Sequence, residues 1–263
     1  MKDDIGELLN NWSFDPDEFI ARRITASDGT EKIQIRIDMG VLQLEVEGRP
    51  DGERPHDFPS LLSYYQTQAE SADSIESSSK PLDEEACEDL FQEAWQYYQR
   101  YLSLFYLEDF AGVFRDTQHN LEIFDLVQSH ADSDEAKWYF EQYYPHAVMM
   151  RVRSRAMLHL EHENYPAALT EVEGGIDQIE RFVEEWEGEM GDEELPELSF
   201  LKDWYEELEK ERPLSRQEEL ERDLTVAVDA ENFEEAARLR DKLRMMRPVF
   251  RGEPNPERSS SST

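Results

Sequence analysis

The sequence predicts a mainly α-helical protein with a small α+β module at its N-terminus. Three patterns carry that reading. Phe91, Trp95, Tyr98, Leu102 and Phe105 recur at steps of four, three, four and three, which lays one apolar stripe along a long helix. Ile33, Ile35 and Ile37 alternate with polar residues, and Leu42, Leu44 and Val46 alternate again beyond Met39-Gly40. Two period-two segments around a glycine-containing turn form a β-hairpin with one apolar face. Ser215-Arg216-Gln217-Glu218, just after Pro213, is a capping box, the signature of a helix start.

Taken in chain order, Asp15-Pro16-Asp17-Glu18 offers a cap, a proline at the first helical position and a closing glutamate, so a helix is expected over Phe14–Ile24. A lone hairpin is marginal in water. Its apolar face is therefore expected to pack on helices at Phe14–Ile24 and Leu61–Tyr65. Gly48-Arg49-Pro50-Asp51-Gly52 and Arg54-Pro55 read as loop. Residues 1–70 thus form the α+β module, and the serine-rich stretch 71–80 reads as a linker. Over 81–212 a helical bundle or short tetratricopeptide-like solenoid is expected, with further helices near 110–130, 133–163 (bent at Pro145), 166–187 and 198–212. A helical hairpin follows over 213–247. Residues 248–263, with Pro254, Pro256 and four serines, read as a disordered tail.

A weak echo recurs. Glu108-Asp109-Phe110, Glu163-Asn164-Tyr165 and Glu231-Asn232-Phe233 each join two helical stretches and place an aromatic at the start of the second. Ala156, Tyr165, Ala168, Leu169 and Gly175 fall where a tetratricopeptide-like helix pair puts small and aromatic residues. The echoes lie 55 and 68 residues apart, not at that family's period, so they indicate antiparallel helix pairs and no more. Gly174-Gly175 inside a helical pattern marks close helix packing.

Charge and composition narrow the function. Against 27 Lys and Arg stand 62 Asp and Glu, a net charge of −35. Such a surface repels phosphate backbones and anionic headgroups, which argues against direct nucleic-acid or membrane binding. The mean hydropathy of −0.79 is low, yet 13 Phe, 11 Tyr and 5 Trp supply apolar area for a core. The single cysteine, Cys87, excludes an internal disulfide framework and a cysteine-based zinc site. Met1-Lys2-Asp3-Asp4 opens no apolar stretch of signal-peptide length, so the chain reads as cytoplasmic. Within 213–247 the balance differs: seven basic residues meet nine acidic ones, a net of only −2. A nearly neutral tip is joined to a strongly acidic body.

That tip carries the most specific pattern in the chain. Leu220, Leu224, Ala227 and Val228 mark the inward face of its first helix, and Asp229-Ala230-Glu231-Asn232 makes the turn. On the second helix Asn232 is the cap, and Phe233, Ala236, Ala237, Arg240 and Leu243 form a stripe. Glu234 and Glu235 come early and Lys242, Arg244 and Arg247 late, as the macrodipole favours, before Pro248 stops the helix. The unbroken run Phe233-Glu234-Glu235-Ala236-Ala237-Arg238-Leu239-Arg240-Asp241 resembles the UVR motif. That motif is the hairpin at the end of excinuclease subunit UvrB, inside UvrC and in some regulators of Clp proteases. The resemblance covers 216–247 alone. It implies a protein-docking device without chemistry of its own, with Phe233, Glu234, Ala236, Ala237, Arg240, Asp241 and Leu243 as its binding residues. A partner bearing a UVR-like hairpin, or a second copy of this chain, would complete the contact.

Catalytic and metal-binding patterns are weak. His159 and His162 lie on one predicted helix beside Glu161 and Glu163, but no second histidine–carboxylate helix matches them. The acidic clusters Glu184-Glu185, Glu187, Glu189 and Asp192-Glu193-Glu194 lack the alternation of a calcium loop and read as a solvated face. No nucleophile elbow, phosphate-cradling glycine loop or redox cysteine pair is present. Between Phe91 and Phe114, Tyr97, Tyr101 and Tyr106 fall partly off the stripe, as core or as the lining of a peptide groove. The expected function is therefore a non-enzymatic adaptor that needs no cofactor or metal. Two other classes stay open: an acidic DNA mimic that blocks a nucleic-acid-binding protein, and an enzyme with an unfamiliar site in 1–190.

Overall fold

The alternating isoleucines lie on the middle strand of a three-stranded antiparallel sheet, ordered β1 (Ala21–Thr25), β2 (Glu31–Ile37) and β3 (Gly40–Glu45). Ile33 pairs with Leu44 and Ile35 with Leu42 across the hairpin, and both isoleucines are buried. The structure, a computed structural model, describes residues 4–73, 82–186, 188 and 195–246. The expected linker therefore falls mostly, and the expected tail wholly, outside the described residues.

β1 replaces the helix expected over Phe14–Ile24. Asp15 Oδ1 does take a backbone N–H, from Asp17 at 3.0 Å, but only one turn results. The chain then enters the sheet, where Ala21 pairs with Ile35 and Ile24 with Lys32. Strand ladder bonds to β2 outweigh the local start signal. The two arginines of β1 hid it from a period-two reading. Arg22 is satisfied by Gln34 Oε1 at 2.7 and 3.0 Å, and its guanidinium lies 3.9 Å above the Trp12 ring.

After α1 (Gly6–Asn10) and the sheet, α2 (Leu61–Asp73) leads into the bundle: α3 (Glu84–Tyr106), α4 (Phe110–His130), α5 (Asp134–Glu141), α6 (Tyr144–Leu160), α7 (Tyr165–Glu185) and α8 (Pro196–Glu211). The long bent helix expected over 133–163 is two helices. Pro145 sits in the first turn of α6, where its missing N–H is no loss. Ile33, Leu61 and Leu62 share one buried cluster with Leu90, Leu104, Val113, Val148 and Leu201, so sheet and bundle close a single core. A second compact unit runs from Glu211 and holds α9 (Arg216–Asp229) and α10 (Phe233–Met246).

The three echoes are one turn used three times. Glu108, Glu163 and Glu231 each adopt a left-handed φ, of 58°, 55° and 55°. In each, the next residue's N–H bonds five residues back: Asp109 to Leu104 O at 2.8 Å, Asn164 to His159 O at 3.0 Å and Asn232 to Ala227 O at 2.9 Å. This is a Schellman ending, in which glycine is the usual left-handed residue. The same Asp or Asn then caps the next helix, accepting from Gly112, Ala167 and Glu235 N–H groups. A shared cap leaves no slack, so α3–α4, α6–α7 and α9–α10 fold back as tight antiparallel pairs. Gly175 lets α7 meet α6 closely: a Cβ there would come 2.5 Å from Val152 Cγ2. Gly174 beside it faces open space.

Two buried charges on α3, about two helical turns apart on one face, latch the N-terminal module to the bundle. Arg100 is fully buried, as is its partner Asp116 on α4, and the two meet in a bidentate pair at 2.6 and 2.8 Å. The remaining Arg100 nitrogen donates to Glu45 O at 3.0 Å and Gly48 O at 2.7 Å, where β3 ends. Arg115 adds bonds to Asp116, Glu47 and Val46 O. Glu93, also fully buried, accepts from the Leu61 and Leu62 N–H groups that open α2, and from His119 Nε2 at 3.0 Å. Burial works against the Glu93 carboxylate, but its His119, Leu61 and Leu62 donors outweigh that cost and hold its pKa below the usual value.

A third buried acid is less well placed. Burial, with the Asp125 and Glu185 carboxylates nearby, pushes Glu141 up to about 7. Asp125 itself is raised, by burial and then by Glu122.

Replacing Arg100 by Met should cost about 3 kcal/mol in denaturant unfolding, because it strands a buried carboxylate and two carbonyls. Glu141 gives a pH signature. Its folded pKa lies above the unfolded value, so its stabilising contribution is complete below the unfolded pKa and is lost as pH rises through about 7. Glu141→Gln should therefore raise stability by about 2 kcal/mol near pH 8 and leave it unchanged near pH 4, as paired unfolding curves would report.

Candidate docking site

The terminal hairpin begins where its capping box predicts. Ser215 Oγ accepts from Glu218 N–H at 3.2 Å, and the Glu218 carboxylate accepts back from Ser215 N–H at 2.8 Å. Arg212 grips the same carboxylate through both guanidinium nitrogens at 2.5 and 2.8 Å, so Arg212 first, then Ser215, drives the Glu218 pKa well down. The first turn of α9 is thus anchored before its apolar face is used. α10 starts from the Asn232 cap described above.

Between the helices lies a small core of its own. Leu220, Ala227, Ala236 and Leu239 are buried in it, and Leu224 and Leu243 pack at its edge. Ala227 and Ala236 sit nearest the turn, and their small side chains permit the close approach that the shared cap imposes. This seam shifts the predicted stripe. Ala236 and Leu243 belong to the internal seam, and Leu239, which the sequence reading left out, is its most buried residue on α10. Val228, expected inward, is half exposed. The predicted faces are too wide at one edge, taking in Val228, Ala237 and Arg240, and one position short at the other, where Leu239 lies.

What remains outside is the informative part. Phe233 is 70% exposed at the first position of α10. Ala237, half-buried, and Arg240, exposed, follow it at spacings of four and three and so share its side of the helix. Arg240 lies 3.9 Å from Asp241, and both side chains are open to solvent. Glu234 is exposed as well. Val228 flanks the turn from the other helix, and Val226, Met245 and Met246 add further exposed apolar surface. The sequence-predicted binding residues therefore divide: Phe233, Glu234, Ala237, Arg240 and Asp241 are available, whereas Ala236 and Leu243 hold the hairpin together. Burial in a two-helix seam could not be told from burial against a partner by periodicity, because both demand the same apolar spacing.

Elsewhere the expected candidates dissolve into structure. His159 Nε2 lies 3.6 Å from Glu171 Oε1, which is already engaged by Arg155 at 2.8 Å. Among the described residues no group of three or more His, Cys, Asp or Glu is placed to hold a metal ion. Glu187, Glu189 and Asp192-Glu193-Glu194 lie outside the described residues. Tyr97 and Tyr101 are core, Tyr97 stacking 3.6 Å from the His119 ring, while Tyr106 is half exposed. Among the described residues no helix is long and apolar enough to cross a membrane.

With that geometry in view, the comparison with known families is narrow and clear. The family model of the UVR motif, described as the UvrB/uvrC motif, matches residues 215–247, which are α9, its turn and α10. The match is local, confined to the hairpin. No curated protein and no solved structure matches the chain.

Because Phe233 lies outside the seam and Leu239 inside it, their truncations should separate. Leu239→Ala should lower the protection of α9 and α10 amides against hydrogen exchange in the full chain by about 2 kcal/mol. Phe233→Ala should leave that protection within about 0.5 kcal/mol of the parent.

Proposed function

We propose that this protein is a non-enzymatic adaptor that docks through its terminal UVR hairpin onto a protein partner carrying a similar hairpin, or onto a second copy of itself. The observation that carries this reading is the exposure of Phe233 on a hairpin whose own seam is already closed by Leu220, Ala227, Ala236 and Leu239. A large aromatic held in water at a helix start costs free energy unless a second surface covers it. Ala237 beside it lets a partner helix approach, and Arg240 offers a cation to a carboxylate on that helix. Excinuclease subunits and Clp-type protease systems are the partner classes that the UVR resemblance suggests.

Charge supports the division of labour. The motif carries a net charge of only −2 while the chain as a whole carries −35, so acidic partners are repelled from the body and least so from the tip. A contact between two short hairpins buries little area, and a weak or multivalent association is expected.

The test is a titration of the purified chain against an isolated UVR hairpin, with sedimentation of the chain alone to register self-association. Phe233→Ala should weaken either contact by about 30-fold, the equivalent of about 2 kcal/mol for a buried aromatic anchor. Deleting 213–263 should abolish it. Equal affinity of the parent and Phe233→Ala would overturn the assignment.

A further inference from the structure

The aromatic stripe of α3 does more than fill the core. On one side it opens into a pocket of about 250 Å3 lined by Phe91, Trp95, Tyr98 and Tyr101 from α3, Asn120 and Phe124 from α4, Tyr143 and His146 around the start of α6, and Glu197 from the first turn of α8. Trp95 and Tyr143 are 48% and 41% exposed and stand at its mouth, while Tyr101 and Phe124 are buried deeper in. Trp95 stacks on Tyr98 at 5.1 Å between centroids, so the wall is a continuous aromatic surface. Its size suits one side-chain-sized group and falls below what a drug-sized ligand needs.

Two polar atoms in that lining are unusual. Asn120 is 3% exposed, and its amide nitrogen donates to Ala94 O at 3.0 Å, which fixes the orientation of the amide. Its Oδ1 is buried with no hydrogen-bond partner among the described residues, and so is His146 Nε2. Native interiors rarely leave such atoms unmatched. His146 Nδ1 faces Glu197 Oε1 at 3.8 Å, and in the tautomer that carries its proton on Nδ1, toward that carboxylate, Nε2 is an acceptor. Asn120 Oδ1, His146 Nε2 and the Glu197 carboxylate are thus all acceptors, and no lysine or arginine lines the pocket. The aromatic faces present negative quadrupole as well. Every feature asks for a donor with positive charge.

We propose that this pocket binds a side-chain-sized organic cation bearing N–H donors, a primary ammonium on an apolar or aromatic body. The body lies against Trp95, Tyr98 and Tyr143, and the ammonium is directed at Asn120 Oδ1, His146 Nε2 and Glu197. This inference is independent of the docking role of the hairpin, since every lining residue belongs to the unit that ends at Lys210.

Calorimetric titration of the full chain with benzylammonium, benzyl alcohol and phenylacetate, which share one ring and differ in charge, tests it. Benzylammonium should bind saturably, benzyl alcohol about tenfold more weakly, and phenylacetate not measurably. Glu197→Gln should weaken benzylammonium about fivefold and leave benzyl alcohol unchanged. Trp95→Ala, at an exposed position that spares the core, should weaken both. A blocked lysine tetrapeptide distinguishes the source of the cation: tighter binding than n-butylammonium points to a lysine presented by another chain, and equal or weaker binding to a free amine. Benzyl alcohol binding as tightly as benzylammonium would overturn the proposal, as would no saturable binding of any cation or a Glu197→Gln variant with unaltered selectivity.

Discussion

The buried pair between Arg100 and Asp116 is the constraint around which the larger unit is organised. Both side chains are withdrawn completely from water, a state that costs several kcal/mol per ion unless each charge finds full compensation. Arg100 finds it in two carboxylate oxygens and two carbonyls, Glu45 O and Gly48 O. Those carbonyls belong to the end of β3, so the charge cannot be satisfied by the helices alone. The sheet must arrive at one place for the α3–α4 pair to close. Glu93, on the same helix, imposes the matching demand at the start of α2. The N-terminal module is therefore held to the bundle by direction-specific polar contacts as well as by the shared apolar core around Ile33, Leu61 and Leu62.

The repeated turn has a different consequence. Because one residue closes the preceding helix and caps the next, the connection has no free torsion to absorb a change in helix angle. Each instance holds a non-glycine residue at left-handed φ, a strain on the order of 1 kcal/mol that the surrounding hydrogen bonds must offset. In the bundle the two antiparallel pairs made this way are stacked further, α4 against α6. Among the described residues of the terminal unit there is one pair. The same turn that yields a buried aromatic start at Phe110 leaves Phe233 in solvent.

That contrast links the hairpin to its proposed role. The two-helix unit closes a seam of four buried apolar residues and leaves Phe233 exposed beyond it. Its remaining apolar surface at Phe233, Val228 and the methionines of α10 is what an adaptor would spend on another molecule. The aromatic pocket between α3, α4, α6 and α8 is a separate resource, built where aromatic residues exceed what the core can use.

Much of this was legible from residue order. The helical stripe from Phe91 to Phe105, the alternation in β2 and β3, the capping box at Ser215 and the three turn echoes are local signals, and each produces its element because periodicity and capping act within a few residues. The UVR hairpin was legible for the same reason. What only the tertiary structure decided were matters of partnership between distant residues. Arg22 and Arg23 concealed β1, because a strand built on polar pairing with β2 has no period of its own. Glu93, Arg100 and Asp116 carry no local signal of burial, and their role is set only where α2, α3, α4 and the end of β3 come together around them. The seam of the terminal hairpin took Leu239 and released Val228, since the rotation of a helix about its axis is set by what it packs against and not by the residues it contains.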